Sequence, residues 1–237
     1  MYNSTKDIKK WEECFEKIRK LYESITNTKG CLDWISKSEG GCGAWCCSQQ
    51  HPHLLYSEFK YLWENAVKKI NKDQFIDLIR KSLYAYLFEE HRKSCVILNT
   101  QNNKCSFHEN RPYNCRVYGI IPEEEFKPRY EKLKILYPDT RQQCNLISTI
   151  DGKNITKEQT NFWWSEILKI EEASGINKKI INDEFGGSYR THYEHILLEI
   201  VGEEGMYSLS KVRELSSKEE KEETISMCIE SLLSMIK

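Results

Sequence analysis

The sequence contains no long apolar run of the kind that exports a protein or anchors it in a membrane. Its first ten residues are polar and charged, without the apolar run of a signal peptide. No window approaches the ~20 apolar residues that span a bilayer. Neither sign of charge is in excess, since 35 Lys and Arg face 36 Asp and Glu. This balance gives no electrostatic case for nucleic acid or an anionic membrane as the main partner, so we expect a soluble, cytoplasmic protein.

The motifs of nucleotide-dependent enzymes are also missing. The sequence contains neither the glycine-rich dinucleotide fingerprint nor a Walker loop. It lacks the C-x-x-x-C-x-x-C spacing expected of most radical S-adenosylmethionine enzymes, and it has no internal repeat or low-complexity linker. With 237 residues, 39% of them hydrophobic, the chain is long enough for one large domain or two small ones.

Cysteine, by contrast, is abundant, with ten residues in the chain. A reducing compartment disfavours a disulfide framework, so metal ligation or catalysis is the better interpretation. Cys14 and Cys228 are in phase with apolar helical stripes and are predicted to be buried packing residues. The remaining eight fall in loop or hairpin segments, where thiolates can converge from several directions: Cys31, Cys42, Cys46, Cys47, Cys95, Cys105, Cys115 and Cys144.

Eight thiolates restrict the choice of metal. Soft sulfur ligands argue against magnesium and calcium and suit either tetrahedral zinc or an iron–sulfur cluster. Eight thiolates suffice for two sites of four ligands each, or for one site with the remaining cysteines buried as packing residues. Because adjacent side chains tend to point apart, Cys46 and Cys47 are less strained if they serve different metals or if one only supports the site. Gly41 and Gly43 allow the backbone to fold tightly around a metal.

The cysteine segments resemble those of a known family. Cys31 with the run Gly41-Cys42-Gly43-Ala44-Trp45-Cys46-Cys47 is similar to the opening of the YkgJ-like cysteine-cluster family, whose members are described as zinc- or iron-chelating. That family typically shows C-x-x-C-x-x-C-C, whereas here ten residues separate the first two cysteines and three separate the next two. The family's later elements are matched by Ser94–Leu98, Lys104–Phe107 and Arg111–Tyr118. The resemblance covers roughly residues 27–120.

The resemblance implies a metal centre and little about activity. A related cluster occurs in the flagellin lysine N-methylases in association with iron–sulfur chemistry, which makes a redox or radical-type role conceivable. The leading hypothesis is therefore an iron–sulfur protein with one or two clusters, of the 4Fe-4S type, that acts on an unknown substrate or redox partner. The alternative is a zinc-stabilised module that binds or handles metal without catalysis.

Several residues near the cysteines are candidates for supporting the centre. Arg111 and Arg116 could neutralise a negatively charged cluster and donate to sulfur, or could instead bond the carbonyls of their own loop. His51 and His53 could complete a coordination sphere, although two surface histidines at a proline turn explain them as well. His108 could also ligate, but a residue at the end of a hairpin is the plainer interpretation.

The best candidates for substrate binding outside the cysteines are Arg190, His192 and His195. They follow a Gly-Gly turn that presents a helix N-terminus, where an anion could bind. His192 and His195 are three residues apart and share a helix face with Glu199, which allows a metal or acid–base cluster. A helix with a hydrated polar face is the favoured explanation of the same pattern.

Hydrophobic periodicity predicts a mainly α fold with a short β-hairpin and irregular cysteine-rich loops around a metal centre. The hairpin is predicted to join Cys95–Leu98 to Lys104–Phe107, and the loop that carries Cys115 follows it. We divide the chain into a cysteine-rich metal-binding domain with flanking helices, residues 1–150, and a helical C-terminal region, residues 151–237, packed on it. The predicted helices cover 5–26 and begin near Ser57, Asp73, Pro122, Thr156 (ending at Gly175), Tyr189 (ending at Val201) and Ser217.

Overall fold

The computed structural model describes residues 5–25, 28–29, 47, 51–101, 104–118, 120–136, 148–149, 155–175 and 188–235. Within these residues the fold is mainly α, as predicted. The helices are α1 (Thr5–Ile25), α2 (Tyr56–Asn65), α3 (Lys72–Leu87), α4 (Tyr113–Val117), α5 (Glu123–Leu136), α6 (Lys157–Ala173), α7 (His192–Leu215) and α8 (Lys218–Met235). Short 3-10 turns cover Val67–Lys69, Glu89–Lys93 and His108–Asn110.

The strands are two residues long and form antiparallel pairs. They are β1 (Thr28–Lys29), β2 (His53–Leu54), β3 (Leu98–Asn99), β4 (Lys104–Cys105), β5 (Ser148–Thr149) and β6 (Arg190–Thr191). The pair β3–β4 is the predicted hairpin and places Leu98 opposite Cys105. The pairs β1–β5 and β2–β6 join distant parts of the chain. The sequence did not predict them, because two residues carry no measurable periodicity.

Reciprocal side-chain caps begin the C-terminal helices. At α6, Gln159 N–H donates to the hydroxyl of Thr156 at 3.3 Å, and Thr156 N–H donates to the side chain of Gln159 at 2.9 Å. The same exchange joins Ser217 and Glu220 at the start of α8. The sequence predicted helix starts near Thr156 and Ser217, and the structure confirms both.

Helix α7 differs from its prediction at both ends. It begins at His192 rather than near Tyr189, because Thr191 is its N-cap. It also continues to Leu215 instead of ending at Val201. Gly202 has φ 70° and ψ −178°, so two helical segments meet at a kink where the sequence indicated an end.

Two apolar cores lie on either side of α2. The first packs α2, α3, α7, α8 and the hairpin together, and includes Phe59, Leu83 and Ile196. The second packs α1 against α4 and α6, and includes Ile18 and Ile167. Both cores combine residues from before and after position 150, and the domain boundary there stays a prediction. None of the described helices is long and apolar enough to cross a membrane.

The two cysteines assigned to packing have different surroundings. Cys14 is 2% exposed within the second core, which confirms its prediction. Cys228 is only half-buried against the first core. The difference arises because α8 covers that core from outside and exposes Met227 beside Cys228.

Candidate metal centre

Three of the predicted ligands, Cys47, Cys95 and Cys105, lie in segments that meet at the hairpin. The backbone N–H of Cys95 donates to the carbonyl oxygen of Cys47 at 2.6 Å. Cys105, in β4, accepts a side-chain hydrogen bond from Cys47. Cys95 is buried in the first core, and Cys47 and Cys105 are partly buried against it. The hairpin therefore brings the thiol of Cys105 and the backbone of Cys95 to Cys47.

The surroundings of Cys105 favour its thiolate form. The hydrogen bond from Cys47 lowers the pKa of the Cys105 thiol, with smaller contributions from the backbone N–H of Phe107 and the charge of Arg111, although burial opposes them. Metals bind the thiolate rather than the thiol. The local electrostatics therefore suit a metal ligand at this position.

Arg111 presents an unsatisfied donor beside this thiol. Its Nη1 contacts Nε2 of His108 at 2.7 Å, while its Nε is buried without a hydrogen-bond partner among the described residues. A buried N–H without an acceptor is unusual, and a bound group or another part of the chain would supply one. An anionic centre bound by thiolates would supply that acceptor, so the side chains present fit a metal of the expected kind.

Arg116 organises the loop between the hairpin and α4. Its Nε donates to the carbonyl of Arg111 at 2.8 Å and its Nη2 donates to the carbonyl of Glu109 at 2.5 Å. Its guanidinium also lies over the ring of Tyr22, 4.2 Å from the centroid. These contacts fit the second role considered for Arg116, in which it bonds the carbonyls of its own loop. His108 begins the 3-10 turn that follows the hairpin, which agrees with its interpretation as a residue at the end of the hairpin.

Cys115 lies in α4, which the sequence indicated as a loop because five residues give no helical pattern. The thiol is half-buried, and its neighbours include Tyr22 and Arg116. Glu58 accepts the N–H of Tyr113 at the start of this helix. The position of Cys115 is therefore set by α1 and α2.

The other predicted ligands, Cys31, Cys42, Cys46 and Cys144, lie outside the described residues. Within the described ranges, no three side chains of His, Cys, Asp or Glu are close enough to hold a metal ion. The described donors form pairs instead: Cys47 with Cys105, and Cys95 with His192. A metal bound by either pair needs further ligands from elsewhere in the chain.

His192 and His195 lie in the interior rather than on a hydrated helix face. They are 2% and 1% exposed. Nδ1 of His192 is 4.0 Å from Sγ of Cys95. His195 donates from Nε2 to the carbonyl of Leu54 at 3.0 Å and stacks on Phe59. Burial lowers the pKa of His192 to about 3 and that of His195 to about 4, so both rings are neutral at pH 7.

The pairing of β2 with β6 causes this burial. It places His53 opposite Thr191, so the start of α7 lies against the segment that follows the double cysteine. His51 is half-buried there and packs edge-on against Tyr193. His53 is exposed. Arg190, in β6, is half-buried. No pattern in the sequence predicts that His51 and His53 meet His192 and His195.

A cavity of about 140 Å³ lies between α4, α5 and α6, beside Tyr189. Tyr113 and Asn114, which immediately precede Cys115, form part of its wall. Sequence reasoning missed it, because its lining comes from four separate segments. The lining residues are Tyr113, Asn114, Val117, Ile121, Glu125, Thr160, Asn161, Trp164 and Tyr189.

Comparison with known families identifies the region that holds these cysteines. Residues 38–146 match the family model CxxCxxCC, described as "Putative zinc- or iron-chelating domain". We call this matched region, residues 38–146, the CxxCxxCC domain. The match confirms the resemblance and the metal-binding character of the region, and it reaches further toward the C-terminus than the expected 27–120. The CxxCxxCC domain includes Cys144 and excludes Cys31 and α7. No curated protein and no solved structure is significantly similar to the chain.

Proposed function

We propose that the CxxCxxCC domain holds iron as an iron–sulfur cluster, bound by thiolates from among the eight predicted cysteines. The observation that carries this proposal is the buried Nε–H of Arg111, which has no acceptor among the described residues and whose charge acts on Cys105 beside Cys47. The sulfur atoms of a cluster accept N–H groups, and a cluster bound by four thiolates is net negative. A guanidinium with an unused donor suits that environment.

A cluster in this position would supply one-electron transfer in a redox or radical-type reaction. The residues of the chain would control its surroundings. Val96 and Phe107 are buried beside the hairpin cysteines and would exclude water. Arg111 would offset the negative charge, and Arg116 would hold the loop. A redox partner or substrate would supply or accept the electron, and a cytoplasmic location would keep the cysteines reduced.

The cavity beside Cys115 is the proposed place for a small substrate. Trp164 lies 5.7 Å from the rings of both Tyr113 and Tyr189, which together form an apolar wall. Asn114 and Glu125 add polar groups to the same cavity. The lining therefore combines aromatic rings with polar groups, and polar groups orient the ligand in small-molecule sites.

The alternative function is a zinc-stabilised module without catalysis. The approach of His192 to Cys95 favours it, because zinc commonly binds mixtures of cysteine and histidine. Zinc would then act by holding Cys47, the hairpin and the start of α7 together, since metal binding is coupled to folding.

Metal and sulfide analysis of protein purified without oxygen separates the two functions. An iron–sulfur protein should be brown, contain iron with acid-labile sulfide, and bleach in air or with dithionite. Colourless protein with stoichiometric zinc and no sulfide would support the alternative and contradict the cluster. The variant Cys105→Ser should lose metal, whereas the matched variant Cys228→Ser should retain it. Wild-type protein that binds neither metal would exclude both functions.

A further inference from the structure

The start of α7 faces the cysteine centre from outside the matched domain. Sγ of Cys95 and Nδ1 of His192 lie 4.0 Å apart, and both side chains are buried. In a tetrahedral zinc site, with Zn–S of about 2.3 Å and Zn–N of about 2.0–2.1 Å, a sulfur and a nitrogen ligand lie about 3.6 Å apart. The pair is therefore within about half an ångström of the separation that two ligands of one metal adopt.

His192 is held at this position by the fold on both sides. The strand pair β2–β6 fixes the residue that precedes it, with Thr191 opposite His53. The capping box of α7 fixes the backbone, since Thr191 donates to Glu194 from its N–H at 2.9 Å and from its hydroxyl at 2.7 Å. The next turn of the helix buries Ile196 and Leu197 in the first core. Rigid elements of this kind hold a ligand in place before the metal binds.

Cys95 is held just as firmly. Its N–H is bonded to the carbonyl of Cys47, and its own carbonyl accepts the N–H of Leu98 at 3.0 Å at the start of the hairpin. The thiol and the imidazole therefore approach each other from two packed segments, and neither belongs to an exposed loop.

We propose that His192 is a metal ligand that acts with Cys95, so that α7 completes the metal centre of the CxxCxxCC domain. This inference rests on the proposed function only in requiring that the domain bind metal. It applies to zinc and to iron, since imidazole serves both metals. If the metal is an iron–sulfur cluster, a nitrogen ligand in place of a thiolate would raise its reduction potential.

X-ray absorption spectroscopy of the bound metal tests this proposal directly. The metal in the wild-type protein should show imidazole scattering in addition to sulfur. His192→Ala should lose the imidazole contribution and bind the metal at least about tenfold more weakly. His195→Ala is the matched control, because His195 is equally buried in the same helix but bonds the carbonyl of Leu54 instead of facing a thiol. That variant should keep the imidazole signal.

A third variant covers the case in which His192→Ala fails to fold. His192→Cys supplies a thiolate in place of the imidazole and should retain metal with sulfur-only scattering. Sulfur-only scattering in the wild-type protein would overturn the role of His192 while leaving a cysteine-bound metal in place. Imidazole scattering that persists in His192→Cys would overturn it as well. A wild-type protein without metal would instead contradict the proposed function, and this inference with it.

Discussion

Glu58 accepts a hydrogen bond from the backbone N–H of Tyr113 at 2.6 Å, at the start of the helix that carries Cys115. The same buried carboxylate accepts the hydroxyl of Tyr22 at 2.7 Å and the N–H of Leu55 at 3.2 Å. One side chain therefore connects α1, α2 and α4. Because α4 has only five residues, its place in the fold depends on contacts of this kind more than on its own helical propensity.

Removing this carboxylate should destabilise the protein. Glu58→Ala leaves the three donors buried without an acceptor, and each unsatisfied group costs about 1–3 kcal/mol. We expect a loss of at least about 3 kcal/mol in the free energy of unfolding, measured by denaturant titration. Glu58→Gln should lose less, because its amide oxygen can still accept two of the bonds. Glu203→Ala, at an exposed position in α7, is the control and should change little. Equal losses in Glu58→Ala and Glu203→Ala would disprove the role assigned to Glu58.

Replacing a metal-binding cysteine should affect metal content, whereas replacing a buried packing cysteine should affect only stability. Cys46→Ser and Cys115→Ser should both lower the bound metal and the melting temperature, because metal binding is coupled to folding. Cys14→Ala and Cys228→Ala should keep the metal and lower stability modestly, by about 1 kcal/mol. Of these two, Cys14→Ala should cost more, since Cys14 is the more deeply buried. Full metal content in both serine variants would exclude these cysteines as ligands.

The two arginines near Cys105 should have separable effects. Arg116→Met removes two hydrogen bonds to loop carbonyls and the contact with Tyr22, so it should lower stability by about 2 kcal/mol. Arg111→Met removes a positive charge near the thiolates, so it should weaken metal retention and lower the reduction potential of an iron–sulfur cluster. Stability and potential are measured on both variants. A shift of the reduction potential in Arg116→Met but not in Arg111→Met would contradict the separate roles given to these two arginines.

The burial of His195 predicts a pH-dependent stability. Burial lowers the pKa of this imidazole from 6.5 to about 4, so the unfolded chain binds the proton more tightly than the folded protein does. The contribution of the neutral His195 ring to stability is thus fully present above pH 6.5 and is lost as the pH falls toward 4. A pKa difference of this size corresponds to about 3 kcal/mol.

The variant His195→Asn isolates this contribution, because it lacks the titrating group. The wild-type free energy of unfolding should fall relative to that of the variant by up to about 3 kcal/mol between pH 7 and pH 4. His91→Asn, at an exposed position, should follow the wild-type curve. If the free energies of unfolding of the wild type and of His195→Asn changed in parallel with pH, His195 would bind its proton equally well in the folded and unfolded states. That result would contradict the prediction.

The elements that could be predicted are those with a local cause. The apolar stripe Trp11, Ile18 and Ile25 specifies α1 and places Cys14 in the core, because a helix repeats every 3.6 residues. The capping boxes at Thr156 and Ser217 specify where α6 and α8 begin. The spacing of Cys95, Cys105 and Cys115 and the adjacent Arg-Pro and Cys-Arg pairs identified the metal-binding family. In each case the interacting residues are close in the chain.

The sequence by itself thus determined a helical protein with a cysteine-based metal domain. The tertiary structure decided which residues surround that domain. The meeting of His192 with Cys95 depends on a strand pair of two residues on each side, which joins positions 53 and 191. The direction of Arg116 toward carbonyls depends on the fold of its loop, and the cavity beside Cys115 depends on the packing of three helices. Contacts between such distant positions leave no periodic pattern, because they are selected by the burial of whole helices rather than by the residues that touch.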